Sequence, residues 1–449
     1  MKDGRCDGEV SMLFWPSLGY ALIGALLAAL LTPIPALHVY NVAGLLLLAY
    51  DGLRPLLPPE GLAMFLMGMV TGYAMLNAIP AVFFTAPDES VLFVVLPGQK
   101  YLLQRRGYEA VLLTGLGGLG GVMVLVALAP VASRLFPTLR AILQPHLPWI
   151  LVTITAYMLL SEWPKGTDRA RTSWGKLAEA WRSLGAGLFT FFLSGLLGII
   201  LFRRNLVPVT VAYQGLLPAF LGLFAIPWLL QNIITRIELP PQYVASSVDI
   251  SLPLLLRGVA AGALGGFLAA FFPVITGGIG GFLAGHATAQ RDDRLFLLSQ
   301  GASRVVYYVG GFLLFFVPGL HLTRGGMAWM VDPLYRPGGP EALYRAVAAL
   351  LAAGLLAFFL LPPLTRLALG LVGRLGYRTT SVVSLGLVLA LLLGLTGPGG
   401  LLVAAVATGI GLIPVLWGSR RMNGLGLLLV PVTLNMLGVG SRVAGWLGL

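Results

Sequence analysis

Twelve apolar runs, most of them near the length of a helix that crosses a bilayer, dominate this chain. They occupy residues 11–31, 61–85, 108–133, 147–160, 184–202, 216–234, 254–272, 295–317, 342–361, 379–395, 401–417 and 425–437. A spanning helix needs ~20 mainly apolar residues. The sequence therefore predicts an all-α polytopic membrane protein with about ten to twelve transmembrane helices. Of 449 residues, 57% are hydrophobic and 10% charged, against ~25% charged in an ordinary soluble domain. No sizeable water-soluble domain fits beside the spans, which excludes a soluble enzyme.

The net charge of +12 has a topological origin. Only Lys2, Lys100, Lys165 and Lys176 of the 29 basic residues are lysines, and most of the basic residues flank apolar runs, where they hold loops on the cytoplasmic side and meet anionic headgroups. They are scattered and form no single basic face, so no nucleic-acid partner is expected. The stretch 163–182, with Lys165, Arg169, Arg171, Lys176 and Arg182, is the longest polar connection and reads as a basic cytoplasmic linker. Arg366, Arg374 and Arg378 mark a second cytoplasmic loop, Arg420 and Arg421 a third; Arg203 and Arg204 conflict with this alternation. Cys6 is the single cysteine, so the chain builds neither a disulfide framework nor a cysteine metal site. The expected organisation is a polar tail (1–10), a first repeat (11–162), the linker (163–182), connecting helices (183–253), a second repeat core (254–361) and C-terminal helices (362–449).

Two further segments are too broken to cross a bilayer alone. PALHVYNVAGLLLLAY (35–50) and PVITGGIGGFLAGH (273–286) each follow a long apolar helix, open at a proline, pass small or polar residues and turn apolar again. They read as re-entrant hairpins or broken helices, one in each of two structural repeats. Irregular backbone at membrane depth is tolerated only where protein or a water-filled cavity covers it. Interrupted segments at matching positions of two halves point to the substrate site of a secondary transporter.

The segments IPALHVYNVAGL, TAPDESVLFVVLPGQKYLLQRRGYEAV, GLLPAFLGLFAIPWLL, FFPVITGGIGGFLAG and ATGIGLIPVLWGSRRMNGLGLLLVP, spread over nearly the whole chain, carry a likeness to a known family. Together they resemble the large membrane subunit of tripartite tricarboxylate transporters, the TctA family, in its archaeal branch. The resemblance implies a two-repeat carrier in the cell membrane, transport of small carboxylates driven by a cation gradient, and, as partners, a small membrane subunit and an extracytoplasmic binding protein. Bacterial members have a proline-glycine pair in both hairpins, where this chain has Pro35-Ala36 and Pro273-Val274.

Candidate site residues follow from the chemistry of an anion site. His38 and Asn41 lie in the first interrupted segment: the imidazole can donate to a carboxylate or relay a proton, or it can tie down a carbonyl freed by the helix break. Thr276, Gly277 and Gly278 occupy the matching turn, where glycine admits an anion close to backbone N–H groups or, alternatively, serves helix packing. Ser303 and Arg304 follow within the next span. Arginine's planar fork suits a carboxylate; otherwise Arg304 belongs to an interfacial cluster with Arg291, Asp292, Asp293 and Arg294. Asp88 and Glu89, after Ala86-Pro87, can hold a coupling Na+ or H+, or cap the next helix. Asn77 and His286 are weaker candidates.

No H-E-x-x-H, G-x-S-x-G or Walker loop is present, so no enzyme activity and no cofactor is expected beyond the coupling ion. The leading expectation is a secondary carrier for a small organic anion, possible as a homodimer. A carrier or flippase for an anionic lipid such as a polyprenyl phosphate is the alternative, and a membrane-embedded transferase built on Asp88 and Glu89 a third.

Overall fold

The computed structural model describes residues 4–32, 37–83, 95–162, 172–208, 215–235, 240–245, 247–290 and 292–449. Among them every regular element is a helix. Among the described residues, eight helical runs are long and apolar enough to cross a membrane, or nine if the bent pair Arg421–Met436 and Gly440–Trp446 is one span. The sequence pointed to about ten to twelve, and continuity explains the difference. Gly107–Leu160 joins two apolar segments through a tight turn at Gln144–His146, and Tyr377–Trp417 joins two across a break at Gly397, whose φ of +67° suits glycine. The stretch from Asp293 to Phe316 is helical throughout but carries Asp293, Arg294 and Arg304 and changes pitch part-way.

The chain forms two compact units, drawn from Met1–Thr85, Phe93–Ala141 and Ile237–Thr380, and from Ala86–Leu92, Ile142–Arg236 and Ser381–Leu449. In the first, Pro59–Leu76 is buried on every face from Gly61 to Leu76. Gly4–Leu31 and Gly339–Leu375 pack against it. A Cβ at Gly68 would run into the Ala21 carbonyl, and one at Gly24 into the Phe65 carbonyl, so the backbones touch directly. Small residues give membrane helices this close approach. The same device joins Leu252–Phe271 to its neighbours: Gly265 faces Gly280, and Gly262 faces Ser299.

Pro59–Leu76 ends at Asn77, and Ala78–Phe83 resumes the helix. Pro80 has no N–H for the Leu76 carbonyl, which is the reason for a break there. The first interrupted segment becomes the helix Val39–Leu48, capped by His38, with 33–36 outside the described residues. The second becomes Gly277–Ala287, capped by Thr276, after Leu252–Phe271 ends. At 10 and 11 residues these helices rise only ~15 Å, half of a ~30 Å hydrocarbon core.

In the second unit, Ser173–Arg203 lies along Gly426–Met436, with Gly198 against the Leu427 carbonyl. Its first turns fall inside the basic stretch 163–182, where Thr172 accepts a bond from the Gly175 N–H.

Candidate functional site

Both short helices border one pair of tyrosines in the first unit. Asp293–Val305 passes into a π-helical turn, Val306–Gly310, before Gly311–Phe316 continues. A π turn carries one extra residue, and such turns gather at functional sites because they redirect side chains. Here it presents Tyr307 and Tyr308, whose rings stand 4.6 Å apart. His38 Nε2 lies 2.9 Å from the Tyr308 hydroxyl. Across the pair, a Cβ at Gly277 would stand 3.0 Å from Cδ1 of Tyr307. Tyr307 packs closely on the Gly277 backbone, where a side chain would crowd it.

The hydrogen bonds assign the histidine tautomer. The Tyr40 N–H donates to His38 Nδ1 at 3.2 Å, so in the neutral ring the proton sits on Nε2 and is donated to Tyr308. The imidazole thus caps Val39–Leu48 through one nitrogen and fixes Tyr308 through the other. Tyr40, Tyr73 and Tyr308 surround it with ring centroids at 4.7, 5.2 and 5.7 Å. Asn77, at the helix break, donates to the Tyr73 hydroxyl at 3.1 Å and so joins this cluster through Tyr73. Asn41 is buried one turn into the same capped helix.

The second segment contributes a capped turn. Thr276 Oγ1 accepts the Ile279 N–H at 3.4 Å, and Ser303 donates to the Gly277 carbonyl at 3.3 Å. Thr276, Gly277, Gly278 and Ser303 are buried together. Arg304 is 1% exposed and its Nε donates to the Ala74 carbonyl at 2.6 Å, just ahead of the break at Asn77. It stands apart from the charged group at the helix start, where Asp292 pairs with Arg294 and Asp293 with Lys100. His286 ends the Gly277–Ala287 helix, bonded to the Phe282 carbonyl at 3.0 Å and stacked on that ring; it is not brought to the tyrosines. Asp88, Glu89 and Arg291 lie outside the described residues.

Tyr40, Tyr73, Tyr307 and Tyr308 were missed because in sequence they count as apolar surface within apolar runs. The signals the sequence does carry are Tyr40 two residues after His38 and the adjacent pair Tyr307-Tyr308, neither of which hydropathy registers.

A second polar cluster stands in the other unit. Glu162, 1% exposed, accepts the Arg420 N–H at 2.9 Å and the Asn423 amide at 3.3 Å, while the Arg420 guanidinium donates to Ser161 at 2.6 Å. Arg421 donates to Gln231 at 3.0 Å and lies 3.2 Å from the Trp228 ring centroid. The carboxylate therefore has local donors, as a buried charge requires. Segments distant in sequence, around Ser161, Trp228 and Arg420, meet there.

A family model described as "Tripartite tricarboxylate transporter TctA family" matches residues 18–426. The chain belongs to the TctA family. The uncharacterized protein MJ1079 of Methanocaldococcus jannaschii is 26% identical over 435 residues, covering 94% of this chain and 99% of that relative. Its archaeal source agrees with the branch the sequence resembled. No solved structure matches the chain. TctA membership and the eight apolar helical runs make this a multi-pass protein of the plasma membrane, a membrane subunit of the tricarboxylate-transporter type. The TctA subunit is the large one of a tripartite system whose other parts are a small membrane protein and a binding protein.

Proposed function

We propose that the chain is a secondary carrier that moves a small carboxylate across the membrane, coupled to H+ or Na+. The substrate is held where the His38 and Thr276 turns border Tyr307 and Tyr308. That placement carries the reading: two capped helix starts, both too short to cross a bilayer, share one aromatic pair on a π turn. Hydroxyl groups donate to carboxylates, and the Gly277 turn brings the Tyr307 ring close against the second helix start. In this reading His38, Asn41, Thr276, Gly277, Gly278 and Ser303 line the site, and Arg304 positions it by tying the tyrosine-bearing helix to the broken one. Asp88 and Glu89 are proposed to hold the coupling ion, and a small membrane subunit and a binding protein to complete the transporter.

The test is a thermal-shift panel on the purified full chain with succinate, citrate, sulfate and polyprenyl phosphate. A ligand that binds only the folded state adds ~2.7 kcal/mol at a hundredfold excess over Kd. Saturable stabilisation by a di- or tricarboxylate is expected. No response to any carboxylate, or a response to the lipid phosphate alone, would overturn the assignment.

A further inference from the structure

Arg324 lies in the connection between Phe316 and Gly339, outside the apolar spanning runs, and it precedes the short helix Gly325–Val331. That helix packs on Val39–Leu48, the helix capped by His38. The contact is specific: a Cβ at Gly326 would stand 2.9 Å from Cδ2 of Tyr40, and one at Gly325, whose φ is +77°, would be 3.4 Å from the Tyr40 hydroxyl. Tyr40 in turn lies 5.9 Å, centroid to centroid, from Tyr308. The Arg324 turn is thereby built against the aromatic cluster.

Among the described residues, no carboxylate pairs with the charge at this position. The titratable groups that act on Arg324 are Tyr307, Arg140 and Tyr40, with no carboxylate among them. Arg140 adds a second positive charge from the end of Gly107–Leu143. Nη1 of Arg324 is buried and finds no hydrogen-bond acceptor among the described residues. Burial pushes the guanidinium down to about 9, which leaves it cationic at neutral pH. A half-buried guanidinium whose Nη1 is buried and unpartnered, with no acid among the described residues and a second cation acting on it, is costly unless something negative joins it.

The geometry points to Arg324 as the group that grips the carboxylate, with Tyr40 and Tyr307 as hydroxyl donors and Arg140 as the second positive charge. This rests on the carrier reading above and names the specificity residue of that site. Two cationic centres beside a tyrosine cluster suit an anion with two or more carboxylates better than a monocarboxylate. A guanidinium offers a planar, two-pronged donor set that an ammonium lacks.

The experiment compares wild type, Arg324→Gln and Arg324→Lys as full-length protein, with succinate, citrate, acetate and sulfate as probes. Apparent affinity and ligand-free thermal midpoint are both read. Affinity for succinate or citrate should fall at least tenfold in both variants, with acetate the weakest wild-type ligand. The ligand-free midpoint of Arg324→Gln should equal or exceed that of wild type, because a half-buried charge with no acid partner among the described residues has been removed. A merely structural arginine would lower it. Carboxylate binding by Arg324→Gln within twofold of wild type overturns the inference and leaves the carrier reading intact. Arg324-dependent binding of sulfate without any carboxylate binding upholds an anion site here and overturns the substrate class. Wild type that binds none of the probes overturns both.

Discussion

At the scale of residues, the site separates groups that a sequence can show from groups that only a fold can supply. His38 and Arg304 stand out in apolar segments because an ionisable group there is expensive. Their partners do not stand out: the Tyr308 hydroxyl and the Ala74 carbonyl lie 270 and 230 residues away. The proposed role of Arg324 has no counterpart in the sequence pattern, since it sits in a connection before Gly325 and Gly326, where arginine normally meets water. Arg304 has a sharp test. Its Nε is engaged with a backbone carbonyl, so Arg304→Lys removes a charge-assisted hydrogen bond from a buried setting, a loss of ~1.5–3 kcal/mol. The ligand-free thermal midpoint should therefore drop, while carboxylate affinity in the folded fraction changes little. A variant with unchanged midpoint and severely weakened binding would instead make Arg304 a direct substrate contact.

Helices were legible where apolar periodicity and capping agree. Leu147–Leu160 appears with the bounds its apolar run suggested, and the two interrupted segments fold as short capped helices. The π turns at Leu221–Ala225 and Val306–Gly310 were not legible, because one extra residue per turn depends on what packs alongside. The helix that leads into the second π turn starts at a cap that can be tested. Asp292 accepts the Arg294 backbone N–H at 2.8 Å and pairs with that residue's guanidinium at 3.1 Å. The Arg294 side chain beside it holds the Asp292 carboxyl below its ordinary value. A depressed folded-state value means that the stabilisation is present above the ordinary carboxylate pKa of ~3.9 and is lost as pH falls through the folded value. Asp292→Ala should then cost ~0.5–2 kcal/mol at pH 7. The gap to wild type should stay level from about pH 8 to 5 and close only below about 4. Asp292→Asn keeps an accepting oxygen and should recover most of the loss. Denaturation curves across this range decide it; a gap that persists undiminished at pH 3 would show that the charge contributes nothing.

The whole molecule is the scale the sequence reaches least. Linear reading sets a linker at 163–182, and the compact units each gather three stretches of the chain, since packing joins segments that sequence separates. Energy coupling belongs to this scale as well. Net entry of an anion opposes the membrane potential by ~2.3 kcal/mol per charge per 100 mV, so accumulation requires co-bound cations. Two adjacent acidic pairs exist in the sequence, Asp88-Glu89 and Asp292-Asp293. The second is engaged, Asp292 by Arg294 and Asp293 by Lys100, and the proposed coupling pair is Asp88 and Glu89. The double variant Asp88→Asn, Glu89→Gln should abolish gradient-driven accumulation in sealed vesicles while counterflow exchange of carboxylate partly survives, because exchange needs no net ion movement. Applying pH and Na+ gradients separately identifies the ion. Accumulation at the wild-type level in the double variant would make both acids helix caps and move the coupling site elsewhere.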